Sequence, residues 1–372
     1  LHIHTDPKFL LLNSVFLNGM FINHIIFLSE FQQDLSQRYP QYDIDYQPLT
    51  PEGLRHTVEF ANSMDLVIVY MLDTPKSYIC NRINKSVKVI WRFFGAELYG
   101  KIGHMMYSEL TKSAMSQNTV SIFDRFKYAY HMIYLYGFRY RTEFNRAMLR
   151  SNAIAMLYKQ EYEYLSEFFR LPAFVQIPYE SFSCFRSQGG QTKETIILGN
   201  SRNRYNNHLD ILELLKKVPN NGYTFVIPFN YGEESNYTNR VRETLKQMTN
   251  VHIINEFMPL IEYNQLFKQA AAFVFNAYRQ MAMANIFMAI CNDVKVYLSP
   301  KNTAYAWLLS EDFIVFNIKN LTEDIKNNNV CLKSDEVEKN RKAFESLLSK
   351  YSNEDFENKV RIIFADKNRR NP

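Results

Sequence analysis

The chain has 372 residues, of which 47% are hydrophobic and 22% charged, and a formal net charge of +5. This composition predicts a globular protein of about two domains, and its charge is too mildly basic to favour a nucleic-acid-binding protein. Four widely spaced cysteines without a CxxC pair argue against a zinc site or a disulfide framework and suit a reducing cytoplasm.

Short β-type runs alternate with amphipathic helical patterns along the chain. The opening LHIHTDPKF lacks the basic flank and apolar centre of a signal peptide, and no apolar run reaches the length of a membrane span. The predicted strands are 1–4, 42–47, 65–71, 87–91, 153–157, 195–198, 223–228, 250–254, 272–276, 294–298 and 313–316. The predicted helices include 51–63, 205–217, 236–248, 260–270, 281–291 and 303–310. Such alternation predicts an α/β fold of parallel sheets with helices on both faces.

A polar segment at 181–194, with the only Gly-Gly pair, indicates a domain boundary. We therefore expect two Rossmann-like, doubly wound parallel-sheet domains facing a cleft. Residues 1–185 would form an N-terminal domain and residues 190–335 a C-terminal domain. The charged tail 336–372 has a helical pattern and could pack back on the N-terminal domain.

The segment 196–212 is predicted to be a strand, a polar loop and a helix. Gly199 ends the strand, and the loop then carries two amide or hydroxyl side chains and two arginines: Asn200, Ser201, Arg202 and Arg204. Backbone N–H groups at a helix start and arginine forks are typical of phosphate sites. The loop matches neither GxGxxG nor GxxxxGK[ST], so the sequence alone leaves open a solvated turn with surface arginines.

Two further segments place polar residues directly after predicted strands. In WRFFGAELYG, 91–100, Gly95 would allow the backbone to approach a ligand closely. Glu97 could bind sugar hydroxyls or take a proton. Alternatively, Glu97 is only an acidic residue at the start of a helix. After strand 272–276, Arg279 and Gln280 precede a helix, where Arg279 could offset charge on a leaving phosphate.

We predict one helix over 125–150, with Arg139, Arg146 and Arg150 near one helical face. The segment combines six Lys or Arg and eight aromatic residues with a single acid. This mixture suits an anionic bilayer surface, where aromatic rings lie among the headgroups. A buried tyrosine-rich helix with solvated arginines and a surface for single-stranded RNA are the other interpretations.

The Asp43-Ile44-Asp45 sequence spells DxD, a pattern that holds a metal–nucleotide complex in some glycosyltransferases. It lies within the alternating run YDIDYQ and has no supporting acids nearby. We interpret it as the polar face of a strand and predict no metal site.

Several of these segments together resemble glycosyltransferase family 56, the bacterial 4-acetamido-4,6-dideoxygalactose (Fuc4NAc) transferases of enterobacterial common antigen assembly. The segment WRFFGAELY at 91–99 is similar to the family's WxxWGADLY, and LGNSRNRYNNHL at 198–209 to its VGNSGDRSNxHI. AYRQ at 277–280 resembles its FARQQ, and IPFNY at 227–231 its VPMGY. The chain departs from the family's pattern at three places. Glu97 replaces the family's Asp, Arg202-Asn203 replaces its Gly-Asp pair, and Met281–Ala284 replaces a glycine-rich stretch.

The resemblance implies a GT-B enzyme that transfers a Fuc4NAc-like sugar, with retention of configuration, from a nucleoside diphosphate that we expect to be dTDP. The acceptor would be a polyprenyl-diphosphate-linked saccharide at the cytoplasmic face of the bacterial inner membrane, to which the enzyme would bind peripherally and without a metal. The C-terminal domain would bind the nucleotide-sugar donor through Gly199, Asn200, Ser201, Arg204, His208 and Gln280, although His208 could instead only orient the loop. The N-terminal domain would face the acceptor and the membrane. Catalysis would involve Arg279 and Glu97, with the Gly95 backbone approaching the sugar or acceptor. A non-catalytic GT-B-like binding protein and a nucleotide-sugar epimerase are the alternatives.

Overall fold

The computed structural model describes residues 1–10, 21–30, 42–115, 121–177, 193–218 and 222–350, with single positions at 35, 39, 40, 358, 359 and 361. Most of the predicted boundary segment 181–194 lies outside these residues. The chain divides into two compact units, the first containing every strand up to residue 177 and the second every strand after residue 193.

The first unit is built on a parallel sheet with seven strands in the described residues. In chain order they are β1 His2–His4, β2 Ile25–Ser29, β3 Ile44–Pro48, β4 Leu66–Tyr70, β5 Lys88–Arg92, β6 Ala153–Met156 and β7 Ala173–Gln176. Their order across the sheet is β3-β2-β1-β4-β5-β6-β7. All five residues of β4 are buried, as expected for a central strand covered on both faces.

The second unit holds a parallel sheet with six strands in the described residues. They are β8 Thr195–Leu198, β9 Thr224–Pro228, β10 Val251–Ile254, β11 Ala270–Phe275, β12 Lys295–Leu298 and β13 Phe316–Asn317, in the spatial order β10-β9-β8-β11-β12-β13. β11 is buried along its whole length. One core cluster includes Ile196, Leu212, Phe225 and Val274.

Helices connect the strands in both units. In chain order they are α1 Pro51–Ala61, α2 Thr74–Cys80, α3 Ala96–Tyr99, α4 Glu109–Ala114, α5 Ile122–Tyr136, α6 Tyr140–Arg150, α7 Lys159–Ser166, α8 His208–Leu215, α9 Asn236–Leu245, α10 Leu260–Gln269, α11 Met283–Cys291, α12 Thr303–Ser310, α13 Leu321–Lys326 and α14 Ser334–Lys350. Thr50 caps α1, since its side chain accepts a hydrogen bond from the Gly53 N–H. No helix in the described residues is long and apolar enough to cross a bilayer.

The segment Tyr99–Asn118, which follows β5 in the sequence, groups with the second unit. Its helix α4 contacts α8 and α9 of that unit. The chain therefore leaves the first unit at α3 and returns to it for α5. As a result, the second unit contains residues that lie well before β8 in the sequence.

The single helix predicted over 125–150 is wrong. The structure has α5 and α6 there, separated at Gly137, whose φ of 76° lies in the left-handed region that helices do not continue through. Arg139 is the N-cap residue of α6, and Arg146 and Arg150 lie on that same helix. Strands β2 and β7 were not predicted.

Candidate active site

The main candidate site lies at the carboxyl edge of the second sheet. β8 and β11 are parallel neighbours with Leu198 opposite Val274, and the Gly199 N–H donates to the Val274 carbonyl at 2.9 Å. The loop after β8 and the segment after β11 therefore leave the sheet from one edge. Tyr231, after β9, joins them, because its carbonyl accepts a hydrogen bond from the Arg202 N–H at 2.9 Å. Ligands of open parallel sheets bind at this edge.

Gly199 is required by both its backbone and its surroundings. Its φ is 72°, in the left-handed region. A Cβ at this position would lie 2.5 Å from Nε2 of His208 and 2.8 Å from Oδ1 of Asn206. No larger residue fits without moving the loop.

The loop after Gly199 is held by its own amide groups. Oδ1 of Asn206 accepts from the Asn200 N–H at 3.0 Å, and its Nδ2 donates to Oγ of Ser201 at 3.3 Å and to the Asn203 carbonyl at 3.0 Å. Ser201 is only 1% exposed, so its hydroxyl belongs to this network. The network fixes the loop in one conformation.

His208 is the first residue of α8 and is buried. Its Nδ1 lies 3.0 Å from the Tyr237 hydroxyl, which also accepts a hydrogen bond from the His208 N–H at 2.9 Å. Burial lowers the pKa of His208 to about 3, so the ring is neutral at physiological pH. Its Nε2 has no hydrogen-bond partner in the described residues and faces Gly199.

Asn207 connects the loop to the segment Tyr99–Asn118. Its Oδ1 accepts from the Ser108 N–H at 2.9 Å, and its Nδ2 donates to the carbonyls of Met106 at 3.2 Å and Asn276 at 3.1 Å. The Ser108 hydroxyl also bonds to the Asp210 carboxylate. The buried Asn207 side chain thus ties three parts of the chain together.

The two arginines of the loop have different surroundings. Arg202 forms an ion pair with Glu234, whose carboxylate also binds Arg242 at 2.6 Å. The hydrogen bonds from Arg242, with the nearby charge of Arg202, hold the pKa of Glu234 down at about 2. Arg204 forms no ion pair in the described residues, and its guanidinium instead lies 5.4 Å from the centre of the Tyr107 ring. The positive charge of Arg202 is thus largely compensated, whereas that of Arg204 is not.

Arg279, after β11, likewise has aromatic neighbours and no carboxylate partner in the described residues. Its guanidinium carbon lies 4.6 Å from the Tyr205 ring centre and 5.4 Å from that of Tyr99. Its Nε and Nη1 are buried without hydrogen-bond partners among the same residues. Gln280 beside it is only 4% exposed. Arg279 therefore offers an uncompensated charge at the same sheet edge as the loop.

Glu97 and Gly95 belong to the first unit, after β5. Oε1 of Glu97 accepts hydrogen bonds from Trp91 Nε1 at 3.1 Å and from the N–H groups of Leu72 at 3.3 Å and Phe94 at 3.4 Å. Its Oε2 is buried without a hydrogen-bond partner in the described part of the chain, and burial raises the pKa of the carboxyl. Gly95 has a φ of 100°, which permits the turn between β5 and α3.

The sequence did not indicate the three tyrosines that contact the arginines. Tyr99 and Tyr107 lie far from the loop in the sequence, and Tyr205 looks like an ordinary helix-start residue. The described residues contain no group of three or more His, Cys, Asp or Glu side chains placed to hold a metal. Asp45 of the DxD sequence lies on β3, where it is exposed and accepts a hydrogen bond from Gln47.

Comparison with known proteins agrees with this architecture. The family model described as "4-alpha-L-fucosyltransferase glycosyl transferase group 56" matches residues 153–355. Among solved structures, HepE of Anabaena in complex with UDP and glucose superposes with a TM-score of 0.62 at 9% identity, covering 98% of this chain and 99% of that one. Sucrose-phosphate synthase of Thermosynechococcus elongatus gives a TM-score of 0.65 at 10% identity, over 95% and 92%. An α-glucosyltransferase in complex with UDP and a 13-mer DNA gives 0.57 at 10% identity, over 98% of each chain.

The two parallel sheets and these likenesses define a two-domain α/β protein of the GT-B fold. The protein is a glycosyltransferase, which transfers a sugar from a nucleotide-sugar. It belongs to glycosyltransferase group 56, whose model covers more than half of the chain.

Proposed function

We propose that this glycosyltransferase moves a Fuc4NAc-like deoxyamino sugar from a dTDP-type donor to a polyprenyl-diphosphate-linked saccharide at the cytoplasmic face of the bacterial inner membrane, with retention of configuration. The observation that carries the donor site is the pair Arg204 and Arg279, two guanidinium groups without carboxylate partners in the described residues, at one sheet edge. A diphosphate carries the complementary charge.

In this proposal the donor diphosphate is bound by Arg204 and the Asn200 side chain, which the Ser201 hydroxyl orients by donating to its Oδ1 at 3.3 Å. Arg279 and Gln280 contact the phosphate that leaves. Anabaena HepE, solved with UDP, shares the fold of this chain and supports a nucleoside diphosphate as the ligand. Guanidinium groups stabilise developing negative charge well when they are held in advance and shielded from water.

The reaction then needs few further groups. The bond between the sugar C1 and the phosphate oxygen breaks, and the acceptor oxygen bonds to C1 on the same face. The released phosphate oxygen takes the acceptor proton, so no separate base is required. Arg204 and Arg279 offset the charge that grows on the diphosphate, which is the role that a divalent metal would otherwise have.

Glu97 and the Gly95 backbone are proposed to contact the sugar or the acceptor hydroxyl. Oε1 of Glu97 is already occupied by three donors, whereas Oε2 has no partner in the described residues. The raised pKa favours the protonated carboxyl, which could donate a hydrogen bond from Oε2 to a sugar oxygen.

Helix α5 is the proposed contact with an anionic bilayer. Phe123, Phe126, Tyr130 and Tyr134 follow one another at helical spacing and are each at least 64% exposed. Arg125 and Lys127 are exposed on the same helix, and it contains a single acid near its start. An exposed aromatic stripe flanked by cations suits the headgroup region of an anionic membrane.

The donor site is tested by isothermal titration with UDP, dTDP and GDP, with EDTA present or with magnesium. We expect one diphosphate to bind in both conditions, and Arg204→Ala to weaken it by at least about tenfold. Arg202→Ala is the matched control, because Glu234 already compensates this neighbouring arginine. Equal effects of the two substitutions, or binding of no diphosphate, would contradict the assignment.

The membrane contact is tested by co-sedimentation with vesicles of phosphatidylcholine alone or with one quarter phosphatidylglycerol. The triple variant Phe126→Ser, Tyr130→Ser, Tyr134→Ser should lose binding to the anionic vesicles while the thermal transition is kept. Phe257→Ser, which removes an aromatic side chain 87% exposed in the second unit, is the control. Binding that persists in the triple variant would reject α5 as the contact.

A further inference from the structure

Arg204, Arg279 and three tyrosines form a connected set in the second unit, which we call the arginine–tyrosine array. Arg204 lies over Tyr107 with 5.4 Å between guanidinium carbon and ring centre, and Tyr107 stacks on Tyr205 with 4.9 Å between centroids and 22° between planes. Arg279 lies over Tyr205 at 4.6 Å and over Tyr99 at 5.4 Å.

The array orients two cations without cancelling their charge. An arginine paired with a carboxylate is well oriented but electrostatically compensated, as Arg202 is by Glu234. The face of a tyrosine ring attracts a guanidinium through its quadrupole and carries no net charge. Arg279 has no carboxylate partner in the part of the chain that the structure describes. The rings of Tyr205 and Tyr99 are therefore the groups that hold its guanidinium.

The tyrosines are themselves held in place. Tyr107 lies directly after Met106, whose carbonyl accepts a hydrogen bond from Asn207 Nδ2 at 3.2 Å, and before Ser108, whose N–H bonds to Asn207 Oδ1 at 2.9 Å. Burial and the neighbouring Tyr205 hydroxyl raise the pKa of Tyr107 well above its usual range, so the phenol stays neutral. Asn207 thus anchors one ring of the stack, and Tyr205 lies two residues before it.

We propose that Tyr205 and Tyr107 are positioning residues of the transferase, which act through Arg279 and Arg204 respectively. This inference rests on the proposed donor site. The stacked rings set the direction of each guanidinium before the donor arrives, so that less side-chain freedom is lost when the diphosphate binds. Each ring contributes to affinity only while its arginine is present.

A double-mutant cycle tests this dependence, because a merely structural role would affect both backgrounds alike. Binding of UDP and dTDP is measured by titration for wild type, Tyr205→Leu, Arg279→Ala and the double variant. We expect Tyr205→Leu to weaken binding by about tenfold, within the roughly two- to thirtyfold range of a cation–π contact. In the Arg279→Ala background, Tyr205→Leu should weaken diphosphate binding by less than about twofold. Tyr205→Phe, which keeps the ring, should restore wild-type affinity.

Tyr107→Leu with Arg204→Ala forms a second, independent cycle should Tyr205→Leu not fold, as judged by its thermal transition. Additive losses in the cycle, or a Tyr205→Phe variant as weak as Tyr205→Leu, would overturn the positioning role. That outcome would leave the donor site intact, provided that Arg279→Ala alone weakens binding. An Arg279→Ala variant with wild-type affinity would instead refute the donor site and the inference with it.

Discussion

Replacing Gly199 by alanine should destabilise the second unit more than the same change at another glycine with positive φ. The new Cβ would lie 2.5 Å from His208 Nε2 and 2.8 Å from Asn206 Oδ1. Neither neighbour can move freely. His208 Nδ1 bonds to Tyr237 at 3.0 Å, and Asn206 Oδ1 accepts from the Asn200 N–H at 3.0 Å.

Two effects contribute to the loss in free energy of unfolding. An L-residue at a φ of 72° costs about 1–2 kcal/mol. Forcing an extra carbon into a packed site adds about 1–3 kcal/mol. Gly222, in the same unit, has a φ of 84°, and no described atom lies within 4 Å of the place that a Cβ would take. Gly222→Ala should therefore cost the backbone part alone, about 1–2 kcal/mol.

The assay is urea unfolding followed by far-ultraviolet circular dichroism, with both variants compared to wild type and the slopes of the transitions checked for equality. The Gly199→Ala midpoint should fall clearly below that of Gly222→Ala, by an amount equivalent to about 1–3 kcal/mol. Equal midpoints for the two variants would refute the steric argument. A Gly199→Ala protein as stable as wild type would also remove the backbone argument.

Three further outcomes follow from the site. Because His208 has a pKa of about 3 when folded and near 6.5 when unfolded, the unfolded chain binds the extra proton as pH falls, and stability is lost below pH 6.5. Between about pH 6 and 4, the free energy of unfolding should fall less steeply in His208→Asn than in wild type, by up to about 1.4 kcal/mol per pH unit. Parallel curves of the free energy of unfolding against pH for the two proteins would contradict this. Because Ala282 has a φ of 56° before α11, Ala282→Gly should raise the free energy of unfolding by about 1–2 kcal/mol, as measured by urea unfolding. A lower free energy of unfolding would show that the Ala282 backbone is not strained. Glu97→Gln keeps the oxygen that accepts from Trp91 and places an amide donor where the protonated Oε2 stands, so both the thermal transition and turnover should persist. A fall in turnover of about a hundredfold would show instead that this carboxyl transfers a proton or acts as a carboxylate.

Much of the architecture could be predicted because the buried parallel strands are short apolar runs between amphipathic helices. β4, β8 and β11 were predicted within two residues at each end. β2 was missed because its IIFLS run lies inside a longer apolar stretch, and β7 because none of its four residues is fully buried.

The site could be predicted only where its residues follow strands directly. Gly199 and Arg279 leave neighbouring strands, so the strand pattern brings them to one edge. Nothing local marks Tyr99 or Tyr107 as partners of Arg279 and Arg204, since their place depends on the path that the chain takes after β5. The difference between Arg202 and Arg204 likewise depends on Glu234, 32 residues further along the chain.

The segment that carries Tyr99 and Tyr107 groups with the second unit but lies in the first half of the sequence. This limits where the chain can be cut into fragments or joined to parts of related proteins. A fragment that begins near residue 190 would lack Met106 and Ser108, the partners that hold the Asn207 side chain in the complete second unit. It would also lack two of the rings that orient the arginines. Chimeras that exchange donor preference between relatives should therefore transplant residues 99–115 together with the carboxyl-terminal half.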